Sequence, residues 1–345
     1  SAASDVYKRQ DIGSVRVRVK EWLLRGLLLA SLGLSAQVQA VCSVVASVPA
    51  SFGTTVSSMT VRTTSQPSST TNAGFSCTPA LLSVLASNDH FYATVSGSPQ
   101  GGLVGPTGDV INYTIYANNT TAFPMTRGTA FDFGGSGGIA ASLGLVFGPG
   151  TKVVPLYFAT TVGSNVASGV YSETLSIFWN WNYCSGIGIA GACLGREINN
   201  GTTTLNVSMT VVNDCQITTP PIAFGSAPVV SAFATVNGQA SVACTKGSAY
   251  TVGLSDGQNP VSVGGRRRMI SGSNFLAYDI FMSAGTTRWG SVGAARRASS
   301  SAEINPGNGL GTGSQVFNYN AKIYTDQATP PGGTYIDNVV LDVGF

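Results

Sequence analysis

Residues 202–215 read TTTLNVSMTVVNDC, with Leu205, Val207, Met209 and Val211 alternating against Thr204, Asn206, Ser208 and Thr210. A period of two is that of a strand with one buried face, so something must cover those four side chains. Shorter runs over 249–254, 277–281 and 318–324 have the same character and are bounded by Gly, Pro, Asn and Ser. The tail alternates too, through Val339, Leu341, Val343 and Phe345. Beyond the N-terminus, no extended stretch spaces its apolar residues at helical intervals. Only 10% of the residues are charged and 43 are glycine. Small, β-branched and turn-forming residues at this density predict an all-β chain of antiparallel, immunoglobulin-like sandwiches.

The N-terminus reads as an address. Arg16, Arg18, Lys20 and Arg25 precede an apolar run over 26–34, and Val38-Gln39-Ala40 supplies the small residues of a cleavage site. Residues 1–40 are therefore expected to be a signal peptide with an upstream extension, and the mature chain to begin at Val41. The run is too short to cross the ~30 Å hydrocarbon core of a bilayer. Lys8, Arg9, Arg16, Arg18, Lys20 and Arg25 stand in this segment against Asp5, Asp11 and Glu21, so the formal charge of +3 belongs to it. The remainder is neutral and offers nucleic acid no basic face. Six cysteines follow the leader, and an even number in an exported chain reads as disulfides. With His90 as the sole histidine and no C-x-x-C, a metal site is the weaker reading, and no cofactor is expected.

An internal repeat suggests the pairing. Cys42, Phe52-Gly53 and Cys77-Thr78 recur as Cys215, Phe224-Gly225 and Cys244-Thr245. Tyr113-Thr-Ile-Tyr116 and Gly169-Val-Tyr171-Ser then recur, at near-equal spacing, as Tyr278-Asp-Ile-Phe281 and Gly333-Thr-Tyr335-Ile. The repeat predicts disulfides Cys42–Cys77 and Cys215–Cys244, and leaves Cys184 and Cys193 to close a short loop. It also divides the chain into domains at 41–213 and 214–345. The first copy continues after Tyr171 through an aromatic strand, the cysteine loop and the alternating stretch 202–212. The second has ten residues after Tyr335 and no counterpart of that stretch. The second unit is thus expected to lack its last strand, and an open sheet edge invites filling by a strand from another chain.

Several motifs of the second unit carry a family resemblance: Cys215-x8-Phe224-Gly225, Val242-Ala-Cys244-Thr245-Lys246-Gly247, Tyr250 to Gly257, Arg268-Met269, Leu276 to Phe281, Trp289-Gly290 and Gly332 to Asp337. This set resembles the spore coat protein U family, the subunit type of archaic, Csu-type chaperone–usher pili; the first unit is similar more loosely. The resemblance implies a two-domain tip adhesin, exported through the periplasm to the cell surface. Leu205, Val207, Met209 and Val211 would complete the N-terminal adhesin domain from within. The C-terminal pilin domain would take a donor strand from the adjacent subunit, and from a periplasmic chaperone before passage through an outer-membrane usher. The tail Val339, Leu341, Val343 and Phe345 is similar to the strand such chaperones pair with. A shaft or basal subunit is the alternative, and an exported carbohydrate-binding protein a more distant one.

An adhesin needs a contact surface. The resemblance implies apolar loops against a hydrophobic surface or a host receptor, and three glycine-rich apolar stretches are candidates. They hold Ile139, Leu143, Leu145, Val146 and Phe147; Ile187 and Ile189 between Cys184 and Cys193; and Val56 with Met59. Leu143, Leu145 and Phe147 equally fit an ordinary core strand. Trp179 and Trp181 share strand parity, where a core pair is the stronger reading than a sugar platform. Arg266-Arg267-Arg268 and Arg296-Arg297 read as solvated loops, as does Asn88-Asp89-His90. Nothing near His90 forms a nucleophile elbow, and the chain is not expected to be an enzyme.

Overall fold

The computed structural model describes residues 41–78, 89–134, 151–189 and 192–345. Two hydrophobic clusters organise it, one between Cys42 and Val211 and the other between Cys215 and Val343. The first domain runs β1 (Val41–Val44), β2 (Ala50–Ser51), β3 (Val56–Ser57), α1 (Ser58–Thr63), β4 (Pro67–Thr70), β5 (Phe75–Thr78), β6 (His90–Ser96), β7 (Gly102–Val104) and β8 (Val110–Tyr116). It continues with β9 (Pro124–Met125), β10 (Ala130–Asp132), β11 (Lys152–Val153), β12 (Leu156–Thr160), β13 (Gly169–Ile189) and β14 (Ala192–Val212). A small sheet of order β1-β5-β11 faces a large one of order β10-β6-β13-β7-β8-β12-β4, to which β14 is added along β13.

Alternation along β13 decides what each face does. Tyr171, Leu175, Ile177, Trp179 and Trp181 are buried while Val170 and Phe178 stand exposed. Trp179 stacks on Phe75 with ring centroids 4.7 Å apart, so the tryptophans are core residues. The stretch 202–212 has found its cover. It pairs antiparallel with β13, from Gly169↔Val211 to Phe178↔Thr202, and parallel with β2 and β3 through Val207↔Ala50 and Val211↔Val56. Leu205, Val207, Met209 and Val211 are all buried within their own chain.

The second domain runs β15 (Cys215–Thr218), β16 (Val236–Cys244), β17 (Thr251–Leu254), β18 (Arg267–Ser271), β19 (Asn274–Met282), β20 (Arg297–Ala298), β21 (Gln315–Ile323) and β22 (Leu341–Gly344). A sheet of order β15-β16-β21-β19-β18 packs against one of order β20-β17-β22. Disulfides join Cys42 to Cys77, Cys184 to Cys193 and Cys215 to Cys244.

The repeat has physical content. Tyr171 donates its hydroxyl to Ala167 O at 2.7 Å, and Tyr335 donates to Pro331 O at 2.8 Å. Tyr113 donates to Glu173 at 2.5 Å, and Tyr278 to Asp337 at 2.8 Å. The same carboxylates accept the backbone N–H of Ser98 and of Gln258, at 2.7 and 2.8 Å. Burial, reinforced by the neighbouring carboxylate, pushes both phenol groups well above their ordinary pKa. Each pair of sequence landmarks is thus one hydrogen-bonded corner, built twice.

Two stretches differ from the sequence expectation. Ser57-Ser58-Met59 is no loop but the start of α1, where Ser57 Oγ accepts the N–H of Thr60 at 3.0 Å. The arginine runs are not solvated throughout. Arg267 is fully buried on β18 and bridges to Asp279, also buried, at 2.7 Å, while Arg297 lies over Trp289 and Phe317. Strand alternation turns one arginine of each run inward, and the fold supplies its partner. Asp279→Ala would leave the Arg267 charge buried with only the carbonyls of Leu254, Ser255 and Trp289 and no carboxylate. The second-domain unfolding midpoint in urea should fall by the equivalent of about 3–5 kcal/mol.

Candidate functional site

The second domain contains a groove of about 630 Å³. One wall is the segment Thr219 to Phe224, the other Tyr335 to Leu341, and Ala240, Met269, Tyr278, Ile280, Trp289 and Tyr319 are among the residues of the floor. Among the described residues, β22 pairs only with β17 and β15 only with β16, so the flanking edges are free. Val339, Leu341 and Val343 pack half-buried against the core, while Phe345 is exposed.

What belongs in this groove is read from the first domain. There Phe52 is buried because β14 crosses it: Phe52 N donates to Ser208 O at 2.9 Å, and Thr210 N to Gly53 O at 2.9 Å. Its repeat counterpart Phe224 lines the groove, as does Ile222, the counterpart of the β14-paired Ala50. Phe224 and Ile222 thus line the groove at the positions where the first domain places residues that β14 covers.

At the far end of the first domain, β13 and β14 continue as a hairpin past the edge of β6, whose last pairing is Asn182↔His90, out to Ile189↔Ala192. The Cys184–Cys193 disulfide closes it. Its root is held by polar contacts that no local motif announces. Glu197 accepts from Trp181 Nε1 at 2.8 Å, Tyr183 OH at 3.0 Å and Cys42 N at 3.2 Å. Arg196 bridges to Asp89 at 3.2 Å, and Asp89 also accepts the N–H of Cys184. Asp89 and His90 accordingly do not sit in a solvated loop: Asp89 is buried and His90 opens β6, while Asn88 lies outside the described residues. An adjacent Arg-Glu pair in a chain with few charges was the one available signal.

Ile187 and Ile189 lie on the hairpin ladder, with side chains outside the described residues. Ile139, Leu143, Leu145, Val146 and Phe147 fall wholly outside them. The anchors of the segment 135–150 are described: Phe133 N donates to Phe91 O, and Lys152 pairs with Cys77, both at the hairpin end. Val56 and Met59 are not at that end. Val56 pairs with Val211, some 20 positions and roughly 60 Å of strand from the hairpin turn, so parallel pairing with β14 takes this stretch to the opposite pole.

That pole meets the second domain. Ser58 Oγ lies 2.7 Å from Thr245 Oγ1, Arg62 donates to Gly311 O, Asn165 Nδ2 donates to Leu310 O at 3.0 Å, and Lys246 bridges to Asp109 at 2.5 Å. Burial works to raise the Asp109 carboxyl. Hydrogen bonds from Lys246, the Ala167 N–H and Thr107 outweigh it and hold the group below its ordinary value. The contribution of this carboxylate is therefore complete at neutral pH and lost as pH falls through the lowered value. X-ray scattering should report one compact inter-domain distance at neutral pH, loosening only in acid below the ordinary 3.8.

A sandwich sealed by its own strand, followed by a sandwich with an open strand groove, defines a pilin-type subunit. The chain belongs to the Spore Coat Protein U domain family, whose model matches it twice, at residues 28–177 and 201–342. The second match opens at 201, so the family counts the alternating strand with the second copy although it folds into the first domain. A search of curated proteins gives no significant match. Among solved structures, the chain is similar to the CsuC–CsuE chaperone–tip adhesion subunit pre-assembly complex from archaic chaperone–usher Csu pili of Acinetobacter baumannii. Identity there is 26% over 88% of this chain and 100% of the other, with a TM-score of 0.59. The CupB6 tip adhesin of Pseudomonas aeruginosa aligns at 10% identity over 88% and 94% of the two chains, with a TM-score of 0.31, too distant to carry an argument.

Proposed function

We propose that this protein is the tip adhesin of an archaic chaperone–usher pilus. Its leader directs export through the periplasm, a periplasmic chaperone holds the second domain, an outer-membrane usher passes it on, and the first domain attaches the cell to a surface and supports biofilm growth. The observation that carries this reading is the contrast between the two strand sites. The first is filled from within, by β14, and the second is an apolar groove between free edges. A shaft or basal role would have 202–212 or another segment serve a neighbour, and 202–212 is engaged on both sides in its own chain, which favours the tip. The likeness to the Csu tip adhesion subunit over nearly the whole of both chains supports the same reading.

Attachment is assigned to the hairpin pole, through Ile187 and Ile189 and through the segment holding Ile139, Leu143, Leu145, Val146 and Phe147. Both are rooted at the pole away from the second domain. Ile187→Asn with Ile189→Asn is expected to reduce attachment of piliated cells to a hydrophobic surface severalfold while pilus number is unchanged. Undiminished attachment would remove the hairpin from the contact surface. Immunogold labelling of the first domain should mark pilus ends; labelling along the shaft would overturn the tip assignment.

A further inference from the structure

The contact between the two domains is a physical template for a second contact. In the first joint, β14 runs along the first domain, ends at Val212 and reaches Cys215 of the next domain with only Asn213 and Asp214 between. The turn after Cys244 then seats against the first domain's base, through Thr245 on Ser58 and Lys246 on Asp109, while Ala167 and Lys246 form a parallel bridge. Thr245 also locks the linker, since its Oγ1 accepts the N–H of Asp214 at 2.8 Å. Strand insertion and head-on-base docking are thus one continuous device.

The second domain repeats the geometry of this base. The helical turn Val230–Ala232 follows Phe224-Gly225 as α1 follows Phe52-Gly53, and Val230 N donates to Thr329 Oγ1 at 3.3 Å. Asn274 precedes Tyr278 by the interval that separates Asp109 from Tyr113, and Thr329 and Pro331 stand before Gly333 as Asn165 and Ala167 stand before Gly169. All of these lie at the end of the sheet away from Cys244, since Val236 pairs with Ala321 at that end and Val242 with Gln315 at the other. Val229, Ser231, Ala232 and Asn274 are exposed there.

We infer that this base, formed by Val229 to Ala232, Asn274 and Thr329 to Pro331, is the docking face for the head of the next spore coat U-type subunit, whose turn after its own second cysteine seats there. The inference rests on the reading that the groove takes that subunit's strand. The occupant is indicated by continuity: a strand inserted as β14 is inserted leaves the groove at this base and brings its own domain with it. The chemistry of the second joint differs, with Val230 and Ala234 standing where the first domain has Ser58 and Arg62. Asn274 replaces the carboxylate of Asp109, and Pro331 replaces Ala167, whose N–H donates to that carboxylate. The base is neutral, and the joint holds without an ion pair.

The test uses pili assembled in cells that make the full chain. A photo-crosslinking benzophenone amino acid is placed at Ser231, at Asn274 or at Ile336 on the groove rim, and crosslinked peptides are identified by mass spectrometry. The expected result is that Ile336 captures the neighbour's strand while Ser231 and Asn274 capture the few residues after its second cysteine, with yields unchanged by high salt. Capture of the strand at Ile336 with no neighbour peptide, or a different one, at Ser231 and Asn274 would overturn the docking face and leave the groove reading standing. Loss of capture at all three positions would overturn both.

Discussion

Val207→Asp is expected to unfold the first domain. Val207 is fully buried on β14, flanked by Glu173 of β13 and Ala50 of β2 in the ladders. A carboxylate there would be buried directly opposite that of Glu173, whose partners Tyr113 and Arg127 are already engaged, and would also weaken the strand that closes the core. The loss should exceed about 4 kcal/mol, a large share of the 5–15 kcal/mol typical of a domain. Trp179 and Trp181 would report it, since their burial depends on the same core. The expected signature is loss of the blue-shifted tryptophan emission and rapid proteolysis of residues 41–213. Val207→Thr, nearly isosteric, should cost far less; equal sensitivity to both would show that β14 is not the closing strand.

Filling the second groove should have the largest stabilising effect. A synthetic peptide of residues 202–214 carries the alternation that fits the equivalent site of the first domain. At a hundredfold excess over its Kd, a ligand binding only the folded state adds about 2.7 kcal/mol. For a domain of this size that corresponds to a rise of roughly 10 °C in the second-domain transition by calorimetry. Leu341→Asp, on the groove wall, should abolish the shift while leaving the first-domain transition in place. If the peptide moves neither transition at saturating concentration, the groove does not accept a strand of this pattern.

Much of this architecture was legible because its markers are local. The cysteine, Phe-Gly and tyrosine landmarks recur in order because each unit needs the same disulfide and the same tyrosine corner, and alternation named the strands. The expectation of an open groove in the second unit matches the differing fates of Phe52, which is buried, and Phe224, which lines a groove. Long-range contacts stayed hidden. Glu197 gathers Trp181, Tyr183 and Cys42, and Asp89 meets Arg196, across intervals that no motif spans. The same blindness applied to Val56 and Met59. Apolar residues beside small polar ones read as an exposed turn, whereas parallel pairing with β14 carried them to the inter-domain pole.

By itself, then, the sequence determined that a unit recurs, that an alternating strand lies between the two copies, and which cysteines pair. These follow from periodicity and repetition, properties a chain has before it folds. Only the tertiary structure decided who owns that strand. An alternating segment announces that it needs a covering face but not which one, and both neighbouring units offered a cleft of the right kind. Burial of Leu205, Val207, Met209 and Val211 between β13 and the parallel β2 and β3 settled it, because that arrangement removes all four side chains from water and satisfies both edges at once.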